Sequence, residues 1–301
     1  MLQVPLQAVL WATVIHSLWG GNAVAAKFGL EAFPPFWSAV IRFVFGVATV
    51  ACWCWFRGHR LLPLRHEWRP LFTISLLFTL QIGLMNVGFD HTSATNGSIL
   101  ISINPVFAAL FAHVLLSDDR LTPRRCVGLS IAFFGVMLTL QGPGAGLWSV
   151  LVPGNYGDWI CLLSAAVLGY RLIASAKAMR ELDPLRLALW QMLLSIPSFL
   201  VLALVFEEWR LEVIPAAAVL GLAYQGVVVA GIGFMGSLWL MSRYRASIMA
   251  SFNFISPVVG VALSVWLLGE TLTSATLAGV ALVALGMILI TLKDQAGRRR
   301  G

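Results

Sequence analysis

The sequence predicts an all-α integral membrane protein with ten transmembrane helices arranged as two inverted five-helix repeats, and three observations support this fold class. Of the 301 residues, 59% are hydrophobic and 11% are charged, whereas a typical soluble domain has about 25% charged residues. Apolar stretches of about 20 residues, the length that crosses a hydrocarbon core as a helix, recur along the chain. The third observation is a weak internal repetition, described below.

The apolar stretches are expected to be helices and not barrel strands, because they are continuously apolar and do not alternate with polar residues. The first stretch lacks a basic start and a small-residue cleavage site, so we expect a retained helix and not a signal peptide. Short segments with proline and glycine separate most of the stretches. The predicted spans are 7–26, 35–56, 70–88, 94–116, 125–141, 157–177, 184–205, 215–241, 246–268 and 274–292.

The distribution of lysine and arginine predicts that both termini lie in the cytoplasm. Alternate connections between the spans, together with the C-terminal tail, hold 16 of the 20 Lys and Arg residues, and the opposite set holds Arg210 alone. Because basic loops stay on the cytoplasmic side, topology explains the net charge of +7, and no nucleic-acid partner is expected. A short chain with minimal loops is typical of a multi-pass protein of a bacterial inner membrane.

The chain repeats itself weakly at an offset of about 150 residues, which predicts two similar halves. Offsets of 151 and 152 pair residues that rarely match by chance, namely Pro105 with Pro257, Gly128 with Gly279 and Gly135 with Gly286. The expected organisation is a first repeat at 7–141, a linker at 142–156, a second repeat at 157–292 and a basic cytoplasmic tail at 293–301.

Five helices in each half is an odd number, so the second half must lie upside down relative to the first. Inverted repeats of this kind are common in secondary transporters, where they surround a binding site near the middle of the membrane and expose it to either side in turn. The sequence therefore predicts a transporter that moves a small metabolite by alternating access.

Short motifs cover nearly the whole chain, and their order and spacing are more distinctive than any one of them. They are Trp19-Gly20-Gly21-Asn22, Lys27, Pro34-Pro35, Ile41-Arg42-Phe43, Thr92-Ser93-Ala94, Asn104-Pro105, Leu121-Thr122, Gly128, Gly135, Ser256-Pro257, Gly269-Glu270-Thr271-Leu272-Thr273, Gly279 and Gly286. In this order they resemble an EamA-type member of the drug/metabolite transporter superfamily. The resemblance implies ten helices, two EamA repeats and export of amino acids or related metabolites, or in some members drugs. One departure is Ser117-Asp118-Asp119, where the family usually has the Gly-Glu pair that the second repeat keeps as Gly269-Glu270.

Two arginines lie within predicted spans, where a charged side chain is costly and invites a functional explanation. Arg42 is seven residues into the second span, and Arg171 is fourteen residues into the sixth. Both are candidates for contact with an anionic substrate. The alternatives are an ion pair from Arg42 to Glu31 or Asp90, and an Arg171 side chain that extends to the cytoplasmic interface.

Asp and Glu are absent from the deep part of every predicted span. Buried cations need a counter-charge, so we expect the substrate to bear an anionic group such as a carboxylate or phosphate. His16 is the deeply placed residue whose side chain titrates near neutral pH, which makes it a candidate for protonation and for proton coupling. The alternative is a histidine that packs among polar groups without such a role.

Uncharged residues within the spans complete the candidate site. Those expected to contact substrate, beside the two arginines, are Trp19, Asn22, Asn86, Asn104, Gln191, Tyr224 and Asn253. Hydrogen bonds between helices are the alternative explanation for the polar members of this set. The kink or hinge candidates are Gly20, Gly21, Pro105 and Pro257, although such residues also occur in static helix bundles.

The sequence gives no support for an enzyme. Hydrolysis or group transfer needs a nucleophile with a base, a metal cluster or paired carboxylates, and the spans contain no such set. No cofactor and no metal are therefore expected, and the partners are membrane lipid and a small-molecule substrate. The alternatives to an exporter are an importer or exchanger of another small organic solute, and a channel, because export follows from the family resemblance alone.

Overall fold

The computed structural model describes residues 5–115, 122–139, 155–208, 214–243 and 251–291, and the regular elements within these residues are helical. The α-helices are α1 (Leu6–Gly20), α2 (Asn22–Leu30), α3 (Pro35–Phe56), α4 (Trp68–Asp90), α5 (Ala94–Ser102), α6 (Asn104–Leu115), α7 (Pro123–Thr139), α8 (Tyr156–Ala178), α9 (Pro184–Phe206), α10 (Ala216–Ala223), α11 (Phe234–Arg243), α12 (Ile255–Leu268) and α13 (Ser274–Thr291). A π-helix, Tyr224–Gly233, joins α10 to α11, and 3₁₀ turns occur at Arg65–Glu67 and Ser251–Phe254. The all-helical fold class is confirmed.

Several described helices are long and apolar enough to cross a membrane. Six such stretches are Pro35–Phe56, Arg65–Asp90, Ala94–Leu115, Tyr156–Ala178, Pro184–Phe206 and Ala216–Ser237, and two shorter apolar helices are Ile255–Leu268 and Ser274–Leu289. Each of the ten predicted spans overlaps one helix or a run of helices, while the number of membrane crossings stays a prediction. Most of the predicted linker at 142–156 and the tail at 293–301 lie outside the described residues.

Local sequence explains where the helices begin. Pro35 and Pro184 occupy the first turns of α3 and α9, a position where the missing proline N–H costs nothing. Asp183 caps α9 by accepting a hydrogen bond from the Arg186 N–H, and Ser93 caps α5 by accepting one from the Asn96 N–H. Side-chain oxygens at these positions satisfy backbone donors that have no partner within the helix.

The kink candidates lie at interruptions of the helices. Gly21 separates α1 from α2, and its neighbour Gly20 lies so close to α12 that a Cβ atom there would come within 2.8 Å of the Ser256 carbonyl oxygen. Pro105 is in the first turn of α6, directly after the break at Ile103, and Pro257 is in the first turn of α12. Whether these breaks act as hinges stays a prediction.

Three phenylalanine rings form the centre of the bundle and connect the two halves of the chain. The Phe43 ring on α3 lies 4.9 Å from that of Phe78 on α4 and 5.9 Å from that of Phe199 on α9, measured between centroids. All three side chains are fully buried. Aromatic pairs at these distances add about 0.5–1.5 kcal/mol beyond the area that they bury.

Carboxylates from the second half of the chain cap helices of the first half at one end of the bundle, which we call the capped end. Glu207, directly after α9, accepts hydrogen bonds from the Phe36 and Trp37 N–H groups at 2.7 and 3.1 Å. Glu270, after α12, accepts them from Ala94 and Thr95 at 2.8 and 3.0 Å. Burial raises the pKa of the Glu207 carboxyl, and its two backbone hydrogen bonds oppose that shift.

An ion pair joins the two halves at the opposite end, between the 3₁₀ turn that precedes α4 and the first turn of α9. Glu67 is 2% exposed, and its Oε2 atom lies 2.6 Å from Nη1 of Arg186. The same carboxylate accepts a hydrogen bond from the Leu64 N–H. Removing one partner of such a buried pair leaves an uncompensated charge, so this contact fixes the start of α9 against the start of α4.

Glycines allow α7 and α13 to pack backbone against backbone. A Cβ atom at Gly135 would lie 2.8 Å from both the Gly279 carbonyl oxygen and the Val283 nitrogen, and one at Gly286 would lie 2.5 Å from the Ala132 nitrogen. Small residues at helix contacts are the usual means of close approach in membranes. The glycine pairs found in the sequence repetition therefore have a packing role.

Replacing Gly279 with valine should destabilise the protein, because the added carbons would enter space that the Gly135 carbonyl and Thr139 occupy. We expect a loss of about 1–3 kcal/mol, measured as a lower unfolding temperature of the purified protein in detergent. Ala278→Val is the matched control, since Ala278 is exposed beside it on the same helix. The packing account is wrong if the two variants unfold at the same temperature.

Candidate functional site

A cavity of about 410 Å³ lies in the middle of the bundle. Its walls come from α1 to α6, α8, α11, the π-helix, and the segment from Asn253 to Ser256. The lining reaches His16 on α1 and Leu240 on α11, and includes none of the residues around Phe36, Ala94 or Glu207. The cavity therefore extends from the middle toward the end opposite the capped end.

The structure brings most of the sequence-predicted site residues together around this cavity. The predicted residues that line it are His16, Trp19, Asn22, Arg42, Asn104, Arg171 and Asn253. They come from five helices and the 3₁₀ turn before α12. Their binding role is a prediction that geometry alone does not test.

Arg42 is 4% exposed and lies at the cavity wall with its guanidinium carbon 4.7 Å from the centre of the Phe43 ring. Its Nε and Nη1 atoms are buried and have no hydrogen-bond partner among the described residues. Glu31 and Asp90, the acids considered as partners, are both described and make no ion pair with it. Arg42 thus lines the cavity and carries guanidinium N–H donors that no described residue accepts.

Arg171, on α8, is 5% exposed and also lines the cavity. Its Nη1 donates to Oε1 of Gln191 at 2.9 Å, and its guanidinium carbon lies 4.9 Å from the centre of the Phe78 ring. The Nε atom has no partner within the described part of the chain. The side chain is held inside the bundle and does not extend to the interface.

Acidic residues are absent from the described lining of the cavity. The carboxylates nearest to the bundle interior have other partners: Glu207 and Glu270 cap helices, Glu67 pairs with Arg186, and Asp158 accepts hydrogen bonds from Thr92 and Asn96. The cavity is therefore an electropositive site inside an apolar bundle.

His16 and Asn253 form a hydrogen-bonded pair at the edge of the cavity. The His16 Nδ1 atom lies 2.8 Å from the Ala12 carbonyl oxygen, and Nε2 lies 2.7 Å from Oδ1 of Asn253. A backbone carbonyl can only accept, so Nδ1 donates to it. Nε2 donates to Oδ1 of Asn253 when it is protonated, and it accepts from the Asn253 amide when it is neutral and that amide is turned. Nε2 is therefore the nitrogen whose protonation can change. Asn253 lies beside that nitrogen and also lines the cavity.

Trp19 and Asn22 lie where α1 and α2 meet the π-helix. The Trp19 ring is 5.6 Å from His16 and 6.0 Å from Phe234, and its Nε1–H has no partner among the described residues. Asn22 accepts a hydrogen bond at Oδ1 from Gln225, at 3.0 Å. A Cβ atom at Gly233 would collide with Trp19 Nε1, so glycine in the π-helix makes room for the indole.

Three predicted site residues do not line the cavity, and each makes a hydrogen bond elsewhere in the bundle. Asn86 donates to the Pro35 carbonyl at 2.9 Å, and Tyr224 donates to the Leu18 carbonyl at 2.7 Å. Gln191 lies behind Arg171 and accepts from it. These contacts are hydrogen bonds between helices, which is the alternative explanation given above for the polar candidates.

Sequence reasoning did not single out the rings beneath the two arginines or the serines of the lining, Ser102, Ser237 and Ser256. It also missed the π-helix, although π-helical turns are frequent at functional sites. Its glycines, Gly226, Gly231 and Gly233, were a visible clue, since a Cβ atom at Gly226 would collide with the Arg42 carbonyl. Gln81 also lines the cavity; it is 2% exposed, and its Oε1 atom has no partner among the described residues.

Comparison with known proteins agrees with this architecture. A solved crystal structure superposes with a TM-score of 0.69 at 18% sequence identity, and the match covers 95% of this chain and 96% of that one. Transporter YoaV of Bacillus subtilis (strain 168) is 21% identical over 95% of this chain and 97% of its own length. The inner membrane transporter YedA of Escherichia coli (strain K12) is 22% identical over 96% of this chain and 91% of its own.

A further relative is named for its substrate. A probable terminal-alkyne amino-acid exporter of Streptantibioticus cattleyicolor is 30% identical over 72% of this chain and 70% of its own length. The model of the EamA-like transporter family matches residues 6–141 and again 155–292. Because these two matches cover almost the whole chain, the protein belongs to the EamA-like transporter family.

Proposed function

We propose that the protein is a secondary transporter that exports a small metabolite bearing an anionic group, an amino acid or a related compound, by alternating access. The observation that carries this proposal is the central cavity, where Arg42 and Arg171 are buried and the described lining has no acid. The family and its named relatives are transporters, which is consistent with a chain that is not an enzyme. Export is favoured by the relative named as an amino-acid exporter; drugs are a second substrate class within the proposal.

Alternating access needs two interchangeable arrangements of the halves, which ten helices in two inverted repeats at 7–141 and 157–292 would provide. Contacts between the halves support this organisation. Glu207 and Glu270 connect them at the capped end, and Glu67 with Arg186 connects them at the opposite end. A change of state would open one set of contacts while the other stays closed.

The positive-inside distribution supports an orientation in which the end opposite the capped end and both termini face the cytoplasm. The cavity extends toward that end, and the capped end carries the two carboxylate caps. We therefore assign the structure to the state whose cavity faces the cytoplasm.

A cysteine at Ser237, which lines the cavity, should react with a membrane-impermeant thiol reagent added from the cytoplasmic side of oriented vesicles. The matched control is Ser264→Cys, because Ser264 is fully buried on α12 and does not line the cavity. Both are made in a chain whose four native cysteines are replaced. We expect labelling on the order of tenfold faster at 237, since thiol reactivity follows access. Faster labelling from the other side would contradict the assigned orientation.

The buried arginines are proposed to bind the anionic group of the substrate. An ion in a low-dielectric interior is strongly destabilised unless it is paired, and a guanidinium offers donors in a planar fork that matches carboxylate and phosphate. The unpartnered nitrogens of Arg42 and Arg171 are donors of this kind at one cavity.

Replacing Arg42 or Arg171 with glutamine should reduce transport of anionic and zwitterionic amino acids into proteoliposomes by about tenfold or more, the effect of losing about 1.4 kcal/mol of binding energy. Arg57→Gln is the matched control, because Arg57 makes the same kind of contact with the Trp53 ring, at 4.8 Å, outside the cavity. Unchanged transport in both cavity variants would exclude the anion-binding role. An ohmic current through single proteins would instead indicate a channel.

His16 is proposed as the site of proton coupling, since its Nε2 atom faces Asn253 at the cavity. Replacing His16 with glutamine should remove the response of flux to a pH gradient while transport without the gradient continues. His59→Gln is the control, because His59 is exposed and away from the cavity. Wild-type flux that does not respond to a pH gradient would exclude proton coupling and leave the carrier itself unaffected.

A further inference from the structure

Two separate guanidinium groups face the same cavity, and each is held in its own position. Arg42 lies over the Phe43 ring and Arg171 over the Phe78 ring, at 4.7 and 4.9 Å. The rings contact each other with centroids 4.9 Å apart, and they belong to different helices. Contact with an aromatic face orients a guanidinium without neutralising its charge.

The charge of the two arginines is not balanced by the surrounding protein. Gln191, the hydrogen-bond acceptor of Arg171, is uncharged. The described lining has no Asp or Glu, and the four buried or capping carboxylates are each bound to other groups. Lys27, the other described cation within the bundle, is not part of the cavity lining and lies within electrostatic reach of Asp90 and Glu270. Two positive charges therefore remain for the substrate to neutralise.

We infer that the preferred substrate is a small dicarboxylate, acidic amino acids included, with one carboxylate bound at Arg42 and the other at Arg171. This inference rests on the proposed function, because it names the substrate class of the same site. A monocarboxylate leaves one guanidinium buried without a counter-charge, whereas a dicarboxylate pairs both. Two arginines at one cavity, each over its own ring, provide one guanidinium for each carboxylate.

The rest of the lining fits the body of such a molecule. Apolar side chains, among them Ile82, Met85 and Val229, surround the space between the polar groups and suit a short methylene linker. The unpartnered Oε1 atom of Gln81 is a neutral acceptor that suits the ammonium group of an acidic amino acid. A cation such as a basic amino acid would meet two like charges and no carboxylate.

The test compares substrates that have the same shape and differ by one charge. Counterflow into proteoliposomes is measured for succinate against succinamate and for L-glutamate against L-glutamine. The wild type should transport the dicarboxylate of each pair at least tenfold faster than its amide. Arg42→Gln and Arg171→Gln should each remove or reverse this preference, because each leaves one positive charge. The external control Arg57→Gln should keep it, because both cavity charges remain.

The outcomes separate this inference from the proposed function. Equal transport of acid and amide by the wild type, or a preference that survives both glutamine variants, would overturn the dicarboxylate assignment while the carrier function stands. Transport of monocarboxylates without transport of succinate or glutamate would overturn it as well. If the wild type transports no member of an amino-acid and carboxylate panel, the proposed function itself fails. Unfolding temperatures of all variants identify any loss of flux that comes from misfolding.

Discussion

The structure is organised around two arginines that are buried in an apolar bundle without a carboxylate partner. Transfer of an ionised group into a medium of low dielectric constant is so unfavourable that buried charges are normally paired or lost. Arg42 and Arg171 remain in the interior because their guanidinium groups lie on Phe43 and Phe78, and because the Gln191 side chain accepts from Arg171. These contacts orient the charges and leave N–H donors of both side chains without an acceptor among the described residues.

The framework around the cavity depends on contacts that cross between the halves of the chain. Glu207 and Glu270 bind pairs of backbone N–H groups at the starts of α3 and α5, where the helix dipole also favours a negative charge. These two carboxylates are thus bound at helix ends, away from the arginines. Because the carboxylates lie at helix ends and the two arginines lie at the cavity, the cavity is electropositive.

The positions of the helices could largely be predicted from the sequence, because apolar stretches and the breaks between them depend on local residues. Pro35 and Pro184 marked the starts of two helices, and Gly21 and Pro105 marked interruptions that the structure contains. The positions of Arg42 and Arg171 within the spans made both candidates for the central site, while an ion pair of Arg42 and an Arg171 side chain at the interface were the alternatives. The number of membrane crossings and the repeat boundaries stay predictions, and Asp118 and Asp119 lie outside the described residues.

Contacts between distant residues were beyond a sequence reading. Asn86 and Tyr224 looked equivalent to Asn22 and Asn104, yet they bind backbone carbonyls of neighbouring helices while the other two line the cavity. Which face of a helix turns to the centre depends on packing, and apolar stretches with little periodicity do not reveal it. The contact between each arginine and its aromatic ring could not be predicted for the same reason.

The charge of the cavity also bears on how transport is driven. A proton bound at His16 would add a third positive charge beside Arg42 and Arg171, so proton and anion would strengthen each other's binding and move together. Proton exchange, in which the proton enters as the substrate leaves, requires instead that the proton and the substrate weaken each other's binding. A substrate with net negative charge has another source of energy, because a membrane potential that is negative inside favours its exit by about 2.3 kcal/mol per charge at 100 mV. An electropositive cavity therefore suits the proposed export when the membrane potential drives it, whereas coupling to a proton at His16 would favour uptake, the alternative direction.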